Sequence, residues 1–342
     1  SKKQNGSSQV DFNSFGSQSN QYFYPASTVK LPIILLTLEW LNEQHIRGLT
    51  LSSEFELVSS NACHSFKSNS TAKDDVLSIE NCIKKILLVS DNRSYNALFD
   101  LLGRDYISDK LIQKGYRRSH IVKSFSGCSD SLLMEKPACI FYNEKRDTLF
   151  FIESSTYKKS ISKLEIDAHI GDSVMIDSST VVAGPKDFSF NNYLPLDEGL
   201  SMLIQLVHPS DSYKKWMISE KQKQFVLYWM SRYPKESKML IYTTNKQYFD
   251  AYKKYLYYGR EETLIKKNPF RIYNIVGLSY GFVTDIAYLK TKDGKKEVFV
   301  ASTIYANNDG VLNDNKYDYE TIGYPFLKYL GKTIVEKYKL IH

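Results

Sequence analysis

Two short motifs in this chain carry residue types suited to nucleophilic chemistry, and the first is "YPASTVKLP". Here Ser27 stands three residues before Lys30, at the start of an apolar run. Residues three apart share one face of a helix, so the lysine can take the proton of the serine hydroxyl. A serine at a helix N-terminus also meets the positive end of the helix dipole, which favours a developing alkoxide. The pair predicts a nucleophile, Ser27, and its base, Lys30.

The second motif, "LLVSDNRSYNALFD", places Ser90, Asp91 and Asn92 in a short break between two apolar helical patterns. In such a break, a hydroxyl and a carboxamide can project into a cleft. The alternative is structural, because Ser or Asp at this point is also a good helix N-cap. The two interpretations are compatible. We expect Ser90 and Asn92 to lie within hydrogen-bonding reach of the Ser27 hydroxyl.

The Ser-x-x-Lys spacing is not specific by itself. It recurs four times in polar surroundings, where a solvated surface is expected, at Ser70/Lys73, Ser155/Lys158, Ser160/Lys163 and Ser212/Lys215. The pair at Ser27 differs because an apolar helical pattern follows it and Pro25 precedes it. This context favours the catalytic interpretation for Ser27 alone.

The patterns around these motifs predict an α+β fold. Residues 27–115 read as mostly helical, and residues 116–190 as short strands that include a hairpin in "ACIFYNEKRDTLFFIE". Helical patterns return in "LDEGLSMLIQLVHP" and "SEKQKQFVLYWMSRYP". From Arg271 the chain reads as three strands, with a turn at Asp293-Gly294, and a closing helix. An antiparallel sheet made mostly from the C-terminal part is therefore expected.

Together, "YPASTVKLP" and the later "SDNRSYN" resemble motifs of the penicillin-recognising serine hydrolases, especially the class A β-lactamases. The order of the motifs and the distance between them match that family. "NIVGLSYGFVTDIAYL" stands where the family has its K-T-G strand. The resemblance spans residues 22 to about 115 and 196–340. It implies a β-lactamase/transpeptidase-like fold, in which helices flank an antiparallel sheet and a helical lobe carries both motifs.

The resemblance also implies roles for individual residues. It assigns catalysis to four residues of the two motifs, Ser27, Lys30, Ser90 and Asn92. Ser90 would relay the proton to the leaving group, and Asn92 would bind the substrate amide or Lys30. It assigns substrate binding to three residues of the strand, Gly277, Leu278 and Ser279. The backbone N–H groups of Ser27 and Leu278 would stabilise the oxyanion.

The chain departs from the family at two places. Ile275-Val276 and Leu278 stand where the family has groups that bind the carboxylate of the drug, and apolar side chains cannot do so. A basic residue of the 120–190 region, such as Lys123, is one candidate to compensate. The E-x-x-L-N glutamate that activates water is absent, since "EWLN" at Glu39 has the wrong spacing. These departures predict weak activity on β-lactams and a persistent acyl-enzyme.

Composition and order suggest a linker-like segment at 1–20 and a single β-lactamase-like domain at 21–342. In that domain, about 120–190 forms an enlarged insertion in the Ω-loop region. The opening "SKKQNGSSQ" has linker composition, which favours export to the periplasm or cell envelope, with a lipoprotein anchored through a removed leader as one form. The motifs and the altered K-T-G are also similar to those of Bacteroidetes-type exported serine hydrolases.

Charge and cysteine content indicate which kinds of partner and cofactor are expected. The net charge of +7 is spread along the chain, so nucleic-acid binding is not expected. No CxxC spacing is present, and neither a metal nor a cofactor is predicted. Cys63, Cys82, Cys128 and Cys139 are compatible with one or two disulfides or with buried thiols.

The sequence therefore predicts a serine hydrolase that forms an acyl-enzyme on a small-molecule or peptide-like acyl substrate. Two alternatives remain open. One is a D,D-peptidase-like or esterase-like enzyme, and the other is a cell-envelope binding protein that has lost turnover. The intact Ser27, Lys30, Ser90 and Asn92 favour an enzyme. The missing K-T-G lysine and glutamate favour the binding protein.

Overall fold

The fold was analysed in a computed structural model, which describes residues 3–4, 7–8, 12–16, 21–68, 75–128, 134–209, 216–262, 265 and 268–341. Its eight α-helices within these residues are α1 (Lys30–Glu43), α2 (Ile79–Val89), α3 (Asn92–Leu102), α4 (Arg104–Gln113), α5 (Leu196–Val207), α6 (Glu220–Ser231), α7 (Leu240–Thr244) and α8 (Tyr324–Lys337). Short 3₁₀-helices lie at Ala26–Val29, Ala62–His64 and Pro234–Glu236, and a π-helix at Tyr319–Gly323 leads into α8.

The strands of the described residues are mostly short. They are β1 (Lys3–Gln4), β2 (Ser7–Ser8), β3 (Phe55–Val58), β4 (Glu135–Lys136), β5 (Ala138–Tyr142), β6 (Thr148–Ile152), β7 (Ser155–Thr156), β8 (His169–Ile170), β9 (Ser173–Met175), β10 (Val181–Ala183), β11 (Lys186–Asp187), β12 (Phe270–Ser279), β13 (Phe282–Thr291), β14 (Glu297–Tyr305) and β15 (Val311–Leu312). The helices and antiparallel strands confirm the predicted α+β class.

The main sheet has the order β12-β13-β14 and is antiparallel throughout. Its first hairpin turns at Tyr280 and Gly281, both of which have positive φ, as a tight two-residue turn between twisted strands requires. The second hairpin turns around Gly294, where the sequence predicted it. Strand β12 lies at the edge of the sheet. Its last residues are therefore available to the helical lobe.

Helix α1 is the centre of the helical lobe. All residues from Lys30 to Trp40 are buried, which fits an apolar pattern that runs around the whole helix. Helix α1 lies against α3, α2, α4 and α5, and its apolar side chains join the largest core cluster. The nucleophile motif thus opens a helix that has no solvent-facing side over its first three turns.

The 120–190 region forms several small sheets. The predicted hairpin is present as β5 and β6, and β5 also pairs with β3 from the helical lobe. Strand β9 lies between β10 and β15. One prediction needs correction, because the helical pattern from Ser27 begins as a 3₁₀-turn at Ala26–Val29 and only then continues as α1.

The disulfide Cys63–Cys128 joins the short helix Ala62–His64 to the 120–190 region, while Cys82 and Cys139 are buried free thiols. The bond closes a loop across a sequence separation of 65 residues. We expect its removal in the double variant Cys63→Ser/Cys128→Ser to lower the free energy of unfolding by about 2–4 kcal/mol, because the unfolded chain regains that loop entropy.

Denaturant unfolding with and without reductant checks this expectation. The wild-type protein in reductant should match the double variant, which reductant itself should not change. Alkylation of the non-reduced, unfolded protein should modify two thiols per chain. Four modified thiols would contradict the disulfide.

Candidate active site

The turn before α1 is held in an unusual conformation. Ala26 has a φ of +44°, which non-glycine residues rarely adopt and which persists only where the surroundings enforce it. The carbonyl oxygen of Pro25 accepts hydrogen bonds from the backbone N–H of Thr28 (3.1 Å) and from its hydroxyl (2.7 Å). Ser27 is half-buried between these buried neighbours. The turn therefore fixes Ser27 at the start of the helix and leaves its side chain partly accessible.

Lys30 is completely buried, although it carries an amine. Its Nζ donates hydrogen bonds to the Ser90 carbonyl oxygen (2.6 Å), the Ser90 hydroxyl (3.0 Å) and the Asn92 side-chain oxygen (2.7 Å). Burial lowers the pKa of Lys30 well below its usual value, with nearby Lys253 acting in the same direction and Asp91 opposing it. When Lys30 is neutral, its two N–H groups can donate to the Ser90 carbonyl oxygen and the Asn92 side-chain oxygen, which can only accept. The Ser90 hydroxyl can then donate to the lone pair of the Lys30 nitrogen. The site accommodates both protonation states.

The break between α2 and α3 presents Ser90 and Asn92 to Lys30. Ser90 ends α2 in the left-handed conformation (φ 61°, ψ 40°), and its N–H bonds the carbonyl oxygen of Ile86 at 2.9 Å. Asp91 caps α3, since its carboxylate accepts the N–H of Ser94 at 2.7 Å. Asp91 is therefore the helix cap, as the structural interpretation predicted, while Ser90 and Asn92 bind the lysine.

The Ser27 hydroxyl makes no hydrogen bond to any residue that the structure describes. The sequence predicted that Lys30, Ser90 and Asn92 lie within hydrogen-bonding reach of this hydroxyl. In the structure Ser90 and Asn92 both bond Lys30, and none of the three bonds the Ser27 hydroxyl. The Lys30 amine instead makes its three hydrogen bonds with Ser90 and Asn92, which other helices bring to it. Ser27 and Lys30 still share a face, since side chains at i and i+3 eclipse in a 3₁₀-turn.

Strand β12 lies directly against this turn. A Cβ on Gly277 would lie 2.4 Å from the Pro25 carbonyl oxygen and 3.3 Å from the Ala26 Cβ, so only glycine allows this approach. Leu278 and Ser279 follow and are both partly exposed. The three residues predicted to bind substrate thus begin where the strand contacts the nucleophile turn.

The site contains aromatic residues that the sequence motifs do not indicate. The rings of Phe125 and Tyr95 lie 5.4 and 5.8 Å from Lys30 Nζ. Phe125 belongs to the 120–190 region and is held by a hydrogen bond from its N–H to the Asn96 side-chain oxygen (2.7 Å). No pattern in the sequence distinguishes Phe125. Two residues before Phe125, the backbone N–H of Lys123 donates to the Asn192 side-chain oxygen, and its carbonyl oxygen accepts from the Asn192 side-chain nitrogen.

Two of the other four Ser-x-x-Lys pairs lie within the described residues, and both are on the surface. Ser155, Lys158, Ser160 and Lys163 are all exposed, as predicted for a solvated surface. The pairs Ser70/Lys73 and Ser212/Lys215 lie outside the described residues. Across the described part of the chain, no cluster of three or more His, Cys, Asp or Glu side chains could hold a metal ion. None of the helices described is both long and apolar enough to cross a bilayer.

Comparison with known proteins finds a family match over the part of the chain that holds both motifs. Residues 7–148 match the model described as "Beta-lactamase enzyme family". No curated protein matches the chain.

Three solved structures are similar in outline. The β-lactamase from Sphaerobacter thermophilus DSM 20745 is 15% identical, with 93% of this chain and 84% of that chain covered and a TM-score of 0.47. The β-lactamase from Desulfarculus baarsii DSM 2075 is 14% identical, with 92% and 85% covered and a TM-score of 0.49. The class A β-lactamase from Clostridium kluyveri DSM 555 is 14% identical, with 92% and 85% covered and a TM-score of 0.47.

Proposed function

Since the chain is β-lactamase-like over residues 7–148, we propose that it is a serine hydrolase that acts through an acyl-enzyme on Ser27. The observation that carries the proposal is the fully buried amine of Lys30, which bonds Ser90 and Asn92. Burying an amine is costly even when hydrogen bonds offset part of the loss. This burial lowers the pKa of Lys30, which favours the neutral amine that a general base requires.

In the proposed reaction, the Ser27 oxygen attacks the substrate carbonyl carbon, and its proton passes to Lys30. The carbonyl π electrons move to oxygen, where the N–H groups of Ser27 and Leu278 stabilise the charge. The proton then moves from Lys30 through the Ser90 hydroxyl to the leaving group as its bond to carbon breaks. The 3.0 Å contact between Lys30 and Ser90 supports this relay. Asn92 keeps Lys30 in place and orients the substrate.

We propose that the acyl-enzyme is released slowly. Phe125, an apolar ring, lies beside Lys30, and the sequence has no E-x-x-L-N glutamate to activate water. Hydrolysis of the acylated serine then requires a water molecule that Lys30 activates, or one that attacks without activation. We propose that the natural substrate is an ester or amide of a small molecule or peptide.

We expect poor hydrolysis of β-lactams. Ile275 and Val276 are buried, and Leu278 is apolar, so these three side chains offer no partner for the drug carboxylate. Each lost charge-assisted hydrogen bond is worth roughly 1.5–3 kcal/mol, so steady-state nitrocefin hydrolysis should be about a hundredfold or more below that of an efficient class A enzyme. Turnover at the level of such an enzyme, abolished in Ser27→Ala, would instead identify an ordinary β-lactamase.

Intact mass spectrometry tests the function itself. We expect a fluorophosphonate to add one adduct to the wild-type protein and none to Ser27→Ala, and a labelled penicillin to react much more slowly. Labelling by neither probe would favour the alternative, a cell-envelope binding protein without turnover. Equal labelling by both would favour a D,D-peptidase-like enzyme.

We also propose that the protein acts outside the cytoplasm, in the periplasm or cell envelope. The support is the Cys63–Cys128 disulfide, because such bonds persist mainly in oxidising compartments. Fractionation of cells that produce the protein from its full-length gene tests this proposal. Recovery in the cytoplasm with both thiols reduced would contradict it.

A further inference from the structure

Two adjacent lysines are buried between the main sheet and the helical lobe. Lys253 Nζ donates to the carbonyl oxygens of Ile86 (2.9 Å) and Leu87 (3.0 Å), in the last turn of α2. Lys254 Nζ donates to the carbonyl oxygen of Met230 (2.8 Å), near the end of α6, and also to β12. Each amine therefore meets the negative end of a helix dipole, which partly offsets the burial that lowers the pKa of both lysines to about 7.

Only Lys253 is connected to the candidate active site. The carbonyl oxygen of Ile86 that binds Lys253 also accepts the backbone N–H of Ser90, at 2.9 Å. Ser90 in turn binds Lys30 through both its carbonyl oxygen and its hydroxyl. The Ile86 carbonyl thus lies between the Lys253 amine and Ser90, the residue that binds Lys30.

We propose that Lys253 is a positioning residue for the reaction at Ser27. Lys253 fixes Ser90 against Lys30 through the last turn of α2. When Lys253 is protonated, its positive charge also opposes a second positive charge on Lys30. This inference rests on the proposed function. The strand position where the family has the K-T-G lysine is occupied by Ile275, which is apolar and fully buried, so strand β12 supplies no cation at that position.

The charges around the two lysines give the sign of the effect. Asp91 favours the charged form of Lys30, whereas burial and Lys253 disfavour it and lower its pKa. Burial lowers the pKa of Lys253 to about 7, and Asp285 partly opposes this shift. Asp285 also interacts with Lys254 and is itself buried. Below about pH 7, where Lys253 carries its charge, removing that charge should therefore raise the pKa of Lys30 and reduce the fraction of free base.

The test compares Lys253→Met with a matched control, Lys254→Met, which removes an equally buried lysine from the neighbouring position. The rate of fluorophosphonate labelling at Ser27 is measured from pH 6 to 10 for both variants. Because the pKa of Lys253 is about 7, its charge acts on Lys30 only in the acid part of this range. There we expect Lys253→Met to slow labelling by up to about tenfold, equivalent to a shift of about one pH unit, whereas at high pH its rate should approach that of the wild type. Lys254→Met should keep the wild-type profile. Identical profiles for all three proteins, or equal shifts in both variants, would overturn the inference.

A second measurement applies to the wild-type protein, in case Lys253→Met does not fold. The ¹³Cε signal of Lys30, assigned with Lys30→Met, is followed by NMR over the same pH range. We expect two steps, one of them at the pH where the Lys253 signal moves, because coupled groups sense each other's titration. A single step would overturn the inference. Because this readout needs no reactivity, a two-step titration without any labelling would reject the proposed function and leave the coupling standing.

Discussion

Replacing Lys30 by methionine is expected to slow acylation of Ser27 by at least about 10³-fold while the chain stays folded. The loss lies in the upper part of the range for a general base, because the substitution removes both the base and the group that binds Ser90 and Asn92. Methionine keeps most of the volume, and the cost of burying an amine disappears. Time-resolved labelling by a fluorophosphonate, read by intact mass, gives the rate.

The matched control is Thr37→Val. This substitution removes a buried hydroxyl from the same helix, where it bonds only the carbonyl oxygen of Ile33 (2.7 Å). Labelling should remain at the wild-type rate in this control, and circular dichroism should show that both variants are folded. Unchanged labelling of Lys30→Met at neutral pH would show that Lys30 is not the base.

Replacing Gly277 by alanine is expected to reduce acylation by about a thousandfold. The new Cβ would lie 2.4 Å from the Pro25 carbonyl oxygen, a backbone atom that cannot move away without displacing the turn. That turn holds Ser27, and displacement of a reacting group by about 1 Å costs on the order of 10²-fold. The same displacement separates the N–H groups of Ser27 and Leu278, and loss of an oxyanion donor costs about 10²–10³-fold. The two losses overlap because one movement causes both.

Gly199→Ala is the control for this prediction. Its added Cβ would also meet an atom closely, at 2.6 Å, but that atom is the terminal Cδ1 of Ile286, which can rotate. Gly199 lies within α5, where alanine is the better helix former. We expect Gly199→Ala to keep its labelling rate. If Gly277→Ala labels as fast as Gly199→Ala, the strand does not position the nucleophile turn.

The sequence by itself determined the elements and the motif residues. The apolar run after Ser27 predicts a buried helix, and α1 is buried on all sides over its first eleven residues. The turn at Asp293-Gly294 and the three strands of the main sheet follow from local patterns, which depend on neighbouring residues only. Contact between Asn92 and Lys30 was one of the two roles that the resemblance implied for Asn92, whereas Ser90 was expected at the Ser27 hydroxyl.

The tertiary structure decided the contacts between segments that are distant in sequence. Phe125 reaches Lys30 from the 120–190 region, Cys63 pairs with Cys128, and Lys253 binds the end of α2. None of these residues has a local signal, because an aromatic, a cysteine or a lysine is equally compatible with many positions.

The direction of the Lys30 hydrogen bonds was likewise decided by tertiary structure. The spacing of Ser27 and Lys30 allowed a bond between their side chains, but it did not determine one. The lysine is buried, so its hydrogens must find acceptors inside the protein, and α2 and α3 present three of them. The Ser27 hydroxyl is half-buried and does not have the same need. Burial, which only the packed chain defines, therefore determines which partners each polar group takes.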